Sequence, residues 1–106
     1  MKTIWRYDLL AEDDVPLEVP AGATFLQHVV ASDRVSNGFT VWVEVDTDAP
    51  FVERVLHVYG TGNPKPPGGR YLATYRLGGM LWFHVFEEEA TLIRSLDGSV
   101  VREDRG

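Results

Sequence analysis

The densest run of chemistry-bearing residues in this sequence is Tyr59-Gly60-Thr61-Gly62-Asn63-Pro64-Lys65-Pro66-Pro67-Gly68-Gly69-Arg70. Glycines let backbone N–H groups close around an anion as concave nests, and Lys65 and Arg70 bring the opposing charge. Arg76, Trp82 and His84 follow closely, so a nucleotide-like anion is a ligand these types suit, with Tyr59, Tyr71, Tyr75 or Trp82 as candidates to stack on a base, although core or cross-strand packing is the preferred reading of these rings. The candidate ligand-binding set is therefore Tyr59, Gly60, Thr61, Gly62, Asn63, Lys65, Arg70, Arg76, Trp82 and His84. Gly60-Thr61-Gly62 is not a P-loop, because no Gly-Lys-Ser/Thr follows. It is not a dinucleotide fingerprint either, because no helix starts there. A long connection that needs Gly and Pro for its geometry accounts for the same letters.

The remaining reactive types are sparse. His28, His57 and His84 fall in predicted strands without the short ligand spacing of a zinc site. Thr61, Thr74 and Ser32 are hydroxyls with no nucleophile elbow or triad pattern around them. Packed strand histidines are the preferred reading, and His57 and His84 share a sheet face only if their strands are adjacent and in register. Asp46 and Asp48 form an Asp-x-Asp step that lacks the rest of a calcium loop. Glu87-Glu88-Glu89 reads as a solvated charge run. No catalytic residue, metal ligand or cofactor is assigned, and a binding protein is expected rather than an enzyme.

These residues must be positioned by strands. Apolar residues alternate with polar ones over Thr3–Leu9, Val15–Val19 and Phe39–Asp46, the period-two signature of β structure, and Thr24–Ala31, Arg54–Tyr59, Tyr71–Leu77 and Met80–Glu87 read as further strands from their β-forming residues and flanking turns. Pro16 and Pro20 suit a sheet edge, since each lacks a ladder N–H. Asn37-Gly38 and Gly78-Gly79 mark hairpins, the second as a two-residue turn. Met80–Phe86 is apolar or aromatic on both faces: either a strand covered on both sides, which is preferred, or one that lines a pocket or interface. The tail reads two ways. Glu87–Leu96 is compatible with a helix capped at Gly98, the preferred reading, and Asp97-Gly98 with a hairpin joining Thr91–Leu96 to Ser99–Arg102. The expected fold is an all-β, mainly antiparallel barrel or sandwich of six to seven strands. Residues 1–87 form its single domain and 88–106 a partly flexible extension.

The chain has 106 residues, no cysteine and a formal net charge of −6. Charge is −7 over residues 1–53 (ten acids, three bases), +4 over 54–86 (no acid) and −3 over 87–106. An acidic whole argues against duplex nucleic acid, which needs many Lys and Arg phosphate contacts. A small anion on the local positive segment remains compatible. The apolar runs are too short to span a bilayer and the N-terminus becomes charged too early for a signal peptide. A soluble cytoplasmic protein, away from membranes, is the expectation.

Met1-Lys2-Thr3-Ile4-Trp5-Arg6-Tyr7, Val45-Asp46 with Asp48-Ala49-Pro50, Val58-Tyr59-Gly60-Thr61-Gly62-Asn63-Pro64 and Phe83-His84-Val85-Phe86-Glu87 stand in this order in the chain. Together they resemble a family of small uncharacterised proteins from phages, prophages and bacteria, over about residues 1–87. Members often carry His where this chain has Asn63, and Ala31–Gly38 is longer here than usual. The resemblance implies a phage accessory protein that binds a host macromolecule, for host modulation or counter-defence. Two alternatives stand beside it: sequestration of an anionic ligand at Gly60–Arg70, and a self-assembling virion component.

Overall fold

A computed structural model of the chain describes residues 1–88, 92–94 and 100–102. Among them are nine strands: β1 (Lys2–Leu10), β2 (Asp14–Pro20), β3 (Thr24–Ala31), β4 (Gly38–Asp46), β5 (Phe51–Gly60), β6 (Arg70–Leu77), β7 (Leu81–Glu87), β8 (Leu92–Arg94) and β9 (Val100–Arg102). Antiparallel pairing gives a three-stranded sheet in the order β1-β4-β3 and a four-stranded sheet in the order β2-β5-β7-β6. The two sheets face each other as a sandwich. Edges β3 and β6 run close together without sharing a ladder, so no barrel closes.

Alternation explains the core. Phe39, Val41, Val43 and Val45 of β4 are buried against Val52, Leu56 and Val58 of β5 and Val85 of β7. A ring stack spans the interior, Phe39 to Tyr75 at 5.6 Å and Tyr75 to Phe83 at 5.6 Å. Burial pushes the Tyr75 hydroxyl up to about 12, since an ionised phenolate there would lose its hydration. β2 is an edge strand, as Pro16 and Pro20 require.

Three expectations change. The β6–β7 connection is Gly78-Gly79-Met80, one residue longer than a two-residue turn, because Leu77 pairs with Leu81. A two-residue type I′ turn needs positive φ at both central positions, and only Gly78 (φ 63°) has it. The helix expected over Glu87–Leu96 is not formed where the structure describes that segment. Leu92–Arg94 is extended and pairs antiparallel with Val100–Arg102, the hairpin reading, with apolar and β-branched residues on both strands. The Asp97-Gly98 turn lies outside the described residues. Finally, β7 is an inner strand of its sheet, yet Trp82 is half exposed and His84 and Phe86 are only partly covered. The sandwich buries one face of each sheet, and this is the other face.

A polar network fixes the outside of the three-stranded sheet. Asp8 accepts from Thr40 Oγ1 at 2.6 Å, Ser32 Oγ at 2.8 Å and Arg6 Nη2 at 3.1 Å. The Arg6 guanidinium first, then the Thr40 and Ser32 hydroxyls, hold this carboxyl well below its ordinary value. Such a group stabilises the fold above the ordinary aspartate range, and that stability is lost as pH falls through the depressed value. Thermal melts of the wild type should therefore fall progressively below about pH 4. Asp8→Asn should melt lower at pH 7 and show a flatter acid limb.

Candidate functional site

The outer face of the four-stranded sheet carries most of the expected site residues, and strand parity puts them there. On β5, Val52, Arg54, Leu56 and Val58 point inward, so Val55, His57 and Tyr59 point outward. On β7, Val85 and Glu87 are inward, which turns Trp82, His84 and Phe86 outward. Antiparallel register sets His57 beside Phe86 and Tyr59 beside His84. The similar tetrapeptides Leu56-His57-Val58-Tyr59 and Phe83-His84-Val85-Phe86 are thus neighbouring strands, and both histidines share one face. From β6, Thr74 pairs with His84, Tyr71 with Phe86 and Arg76 with Trp82.

His84 is held at both nitrogens. Nδ1 lies 2.9 Å from Thr74 Oγ1 and Nε2 lies 2.8 Å from Thr61 Oγ1. Tyr71 Oη continues the chain to Thr74 at 2.8 Å, and Thr61 Oγ1 reaches the Trp82 carbonyl at 3.3 Å. A carbonyl only accepts, so the direction propagates from that end. Thr61 donates to Trp82 and accepts from His84 Nε2–H, while Nδ1 accepts from Thr74, which accepts from Tyr71. Thr61 also anchors its backbone N–H on the Trp82 carbonyl at 3.2 Å. Thr61 and His84 are therefore brought together, and the loop is stapled to β7. Thr74 and Tyr71, absent from the candidate set, complete the arrangement.

The Gly/Pro loop turns through Gly62 (φ 88°), Gly68 (φ 102°) and Gly69 (φ 82°). Asn63 N–H closes the first turn onto Gly60 O at 3.0 Å. Lys65 folds back over the loop. Its Nζ donates to Pro66 O at 2.9 Å and Gly68 O at 3.0 Å, and sits 4.4 Å from the Phe86 ring centre and 5.6 Å from that of Tyr59. Arg76 donates Nε to Gly79 O at 2.9 Å and lies 5.9 Å from the Trp82 ring. Arg70 is 3.7 Å from Glu87 Oε2. Arg70 and Arg76 stand six residues apart on one strand, roughly 20 Å. The cations expected around an anion do not converge.

Nor is this region free of acids in space. Asp14 comes in from β2, opposite His57, and accepts from His57 Nδ1 at 2.7 Å. Glu88 Oε1 is 3.5 Å from His57 Nε2. Glu87 is no solvated acid: it is 1% exposed and bonded to Arg54, itself 3% exposed. Arg54 also donates to Ala23 O at 3.2 Å and lies 5.3 Å from the Phe25 ring. Glu88 is exposed as expected, and Glu89 lies outside the described residues. Among the described residues, no three His, Asp or Glu side chains converge as metal ligands would.

Fold and face together define a small antiparallel β-sandwich domain with one aromatic, hydroxyl-laced sheet surface left partly open. Within that class, the chain belongs to the family described as the domain of unknown function DUF7352, whose model matches residues 1–93. The match covers the whole sandwich and runs six residues past Glu87. No curated protein and no solved structure matches the chain.

Two outcomes follow from this geometry. Nitrogen NMR of the imidazoles should show His84 protonated at Nε2 and bare at Nδ1, with both Thr61→Val and Thr74→Val mixing the tautomers; a dominant Nδ1–H form in the wild type contradicts the assigned direction. Removing one partner of the buried ion pair strands the other charge, so Glu87→Ala should cost about 3–5 kcal/mol in urea unfolding. The double replacement Arg54→Met with Glu87→Leu should recover most of that loss.

Proposed function

We propose that this domain is a non-enzymatic binding protein that takes a protein partner on the β6–β7 hairpin. In the phage or prophage setting implied by the resemblance, that partner is a host protein in the cytoplasm. One observation carries the reading: Met80, Leu81 and Trp82, consecutive on a tight hairpin, are 86%, 59% and 50% exposed. Leaving a large apolar side chain in water forgoes about 1.5–3 kcal/mol relative to burying it. The hairpin is also held ready. Arg76 bonds back to Gly79 and packs on Trp82, so little conformational freedom is lost on docking. Trp and Arg side by side are the types that dominate interface energetics. The anion reading draws no comparable support, since Lys65, Arg70 and Arg76 are engaged at separate places. No helix among the described residues is long and apolar enough to cross a membrane.

Affinity capture with quantitative mass spectrometry tests this. The wild type and Ile4→Ser, which alters an exposed residue of the opposite sheet, should retain the same single protein in near-stoichiometric amount. Leu81→Ser with Trp82→Ser should lose it. Retention by that double variant overturns the reading. So does a concentration-dependent dimer of the pure protein that the same variant abolishes, because the hairpin then serves self-assembly.

A further inference from the structure

At the far end of β7 from the hairpin, a hollow of about 390 Å³ lies between the Gly/Pro loop and the start of β2. It is lined by Tyr59, Phe86 and His57, the loop Pro66–Gly69, and Asp14 and Glu88. A second hollow of about 420 Å³ shares Asp14, Tyr59 and Pro66 with it and adds Asp13, Asn63 and Pro64. Each is of small-molecule size, and the two share lining residues.

The chemistry of these walls has one sign. Among the described residues no lysine or arginine lines either hollow. Pro64, Pro66 and Pro67 carry no N–H, so those stretches of wall offer carbonyl acceptors only. Ring faces are negative at their centres and attract cations. Three carboxylates, Asp13, Asp14 and Glu88, rim the space. The chain itself shows that the rings serve this purpose: the Lys65 ammonium rests against Phe86 and Tyr59 and bonds two loop carbonyls. Lys65 does not line the hollow; on the carboxylate side His57 lines it, stacked on Tyr59 at 6.4 Å with Nδ1 2.7 Å from Asp14 and Nε2 3.5 Å from Glu88.

We propose that this hollow binds an organic cation, an alkylammonium or guanidinium group on a short alkyl stem, between the Tyr59 and Phe86 rings and the Asp14 and Glu88 carboxylates. The stem lies along the prolines and the head group meets the acids in competition with His57, which contacts both. Free diamines and basic side chains of a polypeptide share this chemistry. The site is independent of the hairpin surface, and either can fail without the other.

Two-dimensional NMR titration of the intact protein decides the matter, with 1,5-diaminopentane, blocked lysine, blocked arginine and a short Lys/Arg peptide as probes and blocked norleucine as the neutral control. The cations should give saturable shifts at Tyr59, Gly68, Gly69 and Phe86, at least about tenfold tighter than norleucine. Tighter binding of the peptide than of the free diamine assigns the source to a polypeptide, and the reverse order assigns it to a free amine. Asp14→Asn with Glu88→Gln, both at exposed positions, should abolish the shifts while the rest of the spectrum stays folded. Phe86→Ala should weaken binding about tenfold, and added salt should weaken it further. Lys65→Met should leave affinity unchanged or raise it, because it removes a neighbouring positive charge. Equal response to norleucine, no saturation by any cation, or phosphate binding here that Lys65→Met abolishes would each overturn the proposal.

Discussion

The arrangement of both sheet faces depends on one buried contact, the ion pair between Arg54 on β5 and Glu87 on β7. Side chains alternate along a strand, so fixing one residue inward fixes the parity of its whole strand. Arg54 inward sends His57 and Tyr59 out, and Glu87 inward sends Trp82, His84 and Phe86 out. A slip of one residue in either strand would expose Leu56 or Val85 and bury an imidazole. Two desolvated charges add little net stability over an apolar pair of the same volume. Their value here is in register: a slip of one strand would turn its ion out to solvent and leave the other ion unmatched in the core, a penalty that no apolar pair imposes. Arg54 extends the same control to the β2–β3 connection through Ala23 and to the three-stranded sheet through Phe25.

Much of the fold was legible because β structure writes a period of two into the sequence. Phe39–Asp46 needed only its alternation and Thr24–Ala31 its β-forming residues, and Pro16 and Pro20 identified the β2 edge through a missing donor. Glu87 was not legible. It heads a run of three glutamates, and nothing local distinguishes the one that turns inward to meet a partner 33 residues earlier in the chain. The tail misled for a related reason: acids before apolar residues imitate the first turn of a helix, whereas Leu92–Arg94 is decided by pairing with a distant strand. The charge map failed for a geometric reason. Residues 54–86 contain no acid in sequence, but antiparallel pairing brings Asp14 opposite His57 and Glu87 opposite Arg70.

The candidate site was half legible on the same grounds. Tyr59, Thr61, Trp82 and His84 do gather on one surface, because two strands of similar sequence lie side by side. Lys65 and Arg70 were chosen for their charge, and charge says nothing about direction. Lys65 is short of partners only until the loop closes; then two carbonyls and two ring faces surround it. A glycine- and proline-rich loop suggested N–H nests for an anion, but proline removes N–H groups and leaves carbonyls. The glycine N–H groups and the proline carbonyls of this loop thus point to opposite ligand charges, and composition alone does not choose between them.

Family membership over residues 1–93 brings no activity with it, so the functional argument rests on how this surface is built. β7 presents an apolar, exposed hairpin at one end and an acid-rimmed aromatic hollow at the other. Between them runs the chain Tyr71–Thr74–His84–Thr61, closed on the Trp82 carbonyl. Every donor in that chain is matched by an acceptor, so it holds the face rigid without side-chain packing above it. A sheet face not covered by other elements of its own sandwich would otherwise be adaptable, and adaptability costs ordering entropy on binding. The hydrogen-bonded row removes that cost in advance. The two ends of β7 differ in their chemistry, apolar at the hairpin and acid-rimmed at the hollow, and the row of hydrogen bonds joins them.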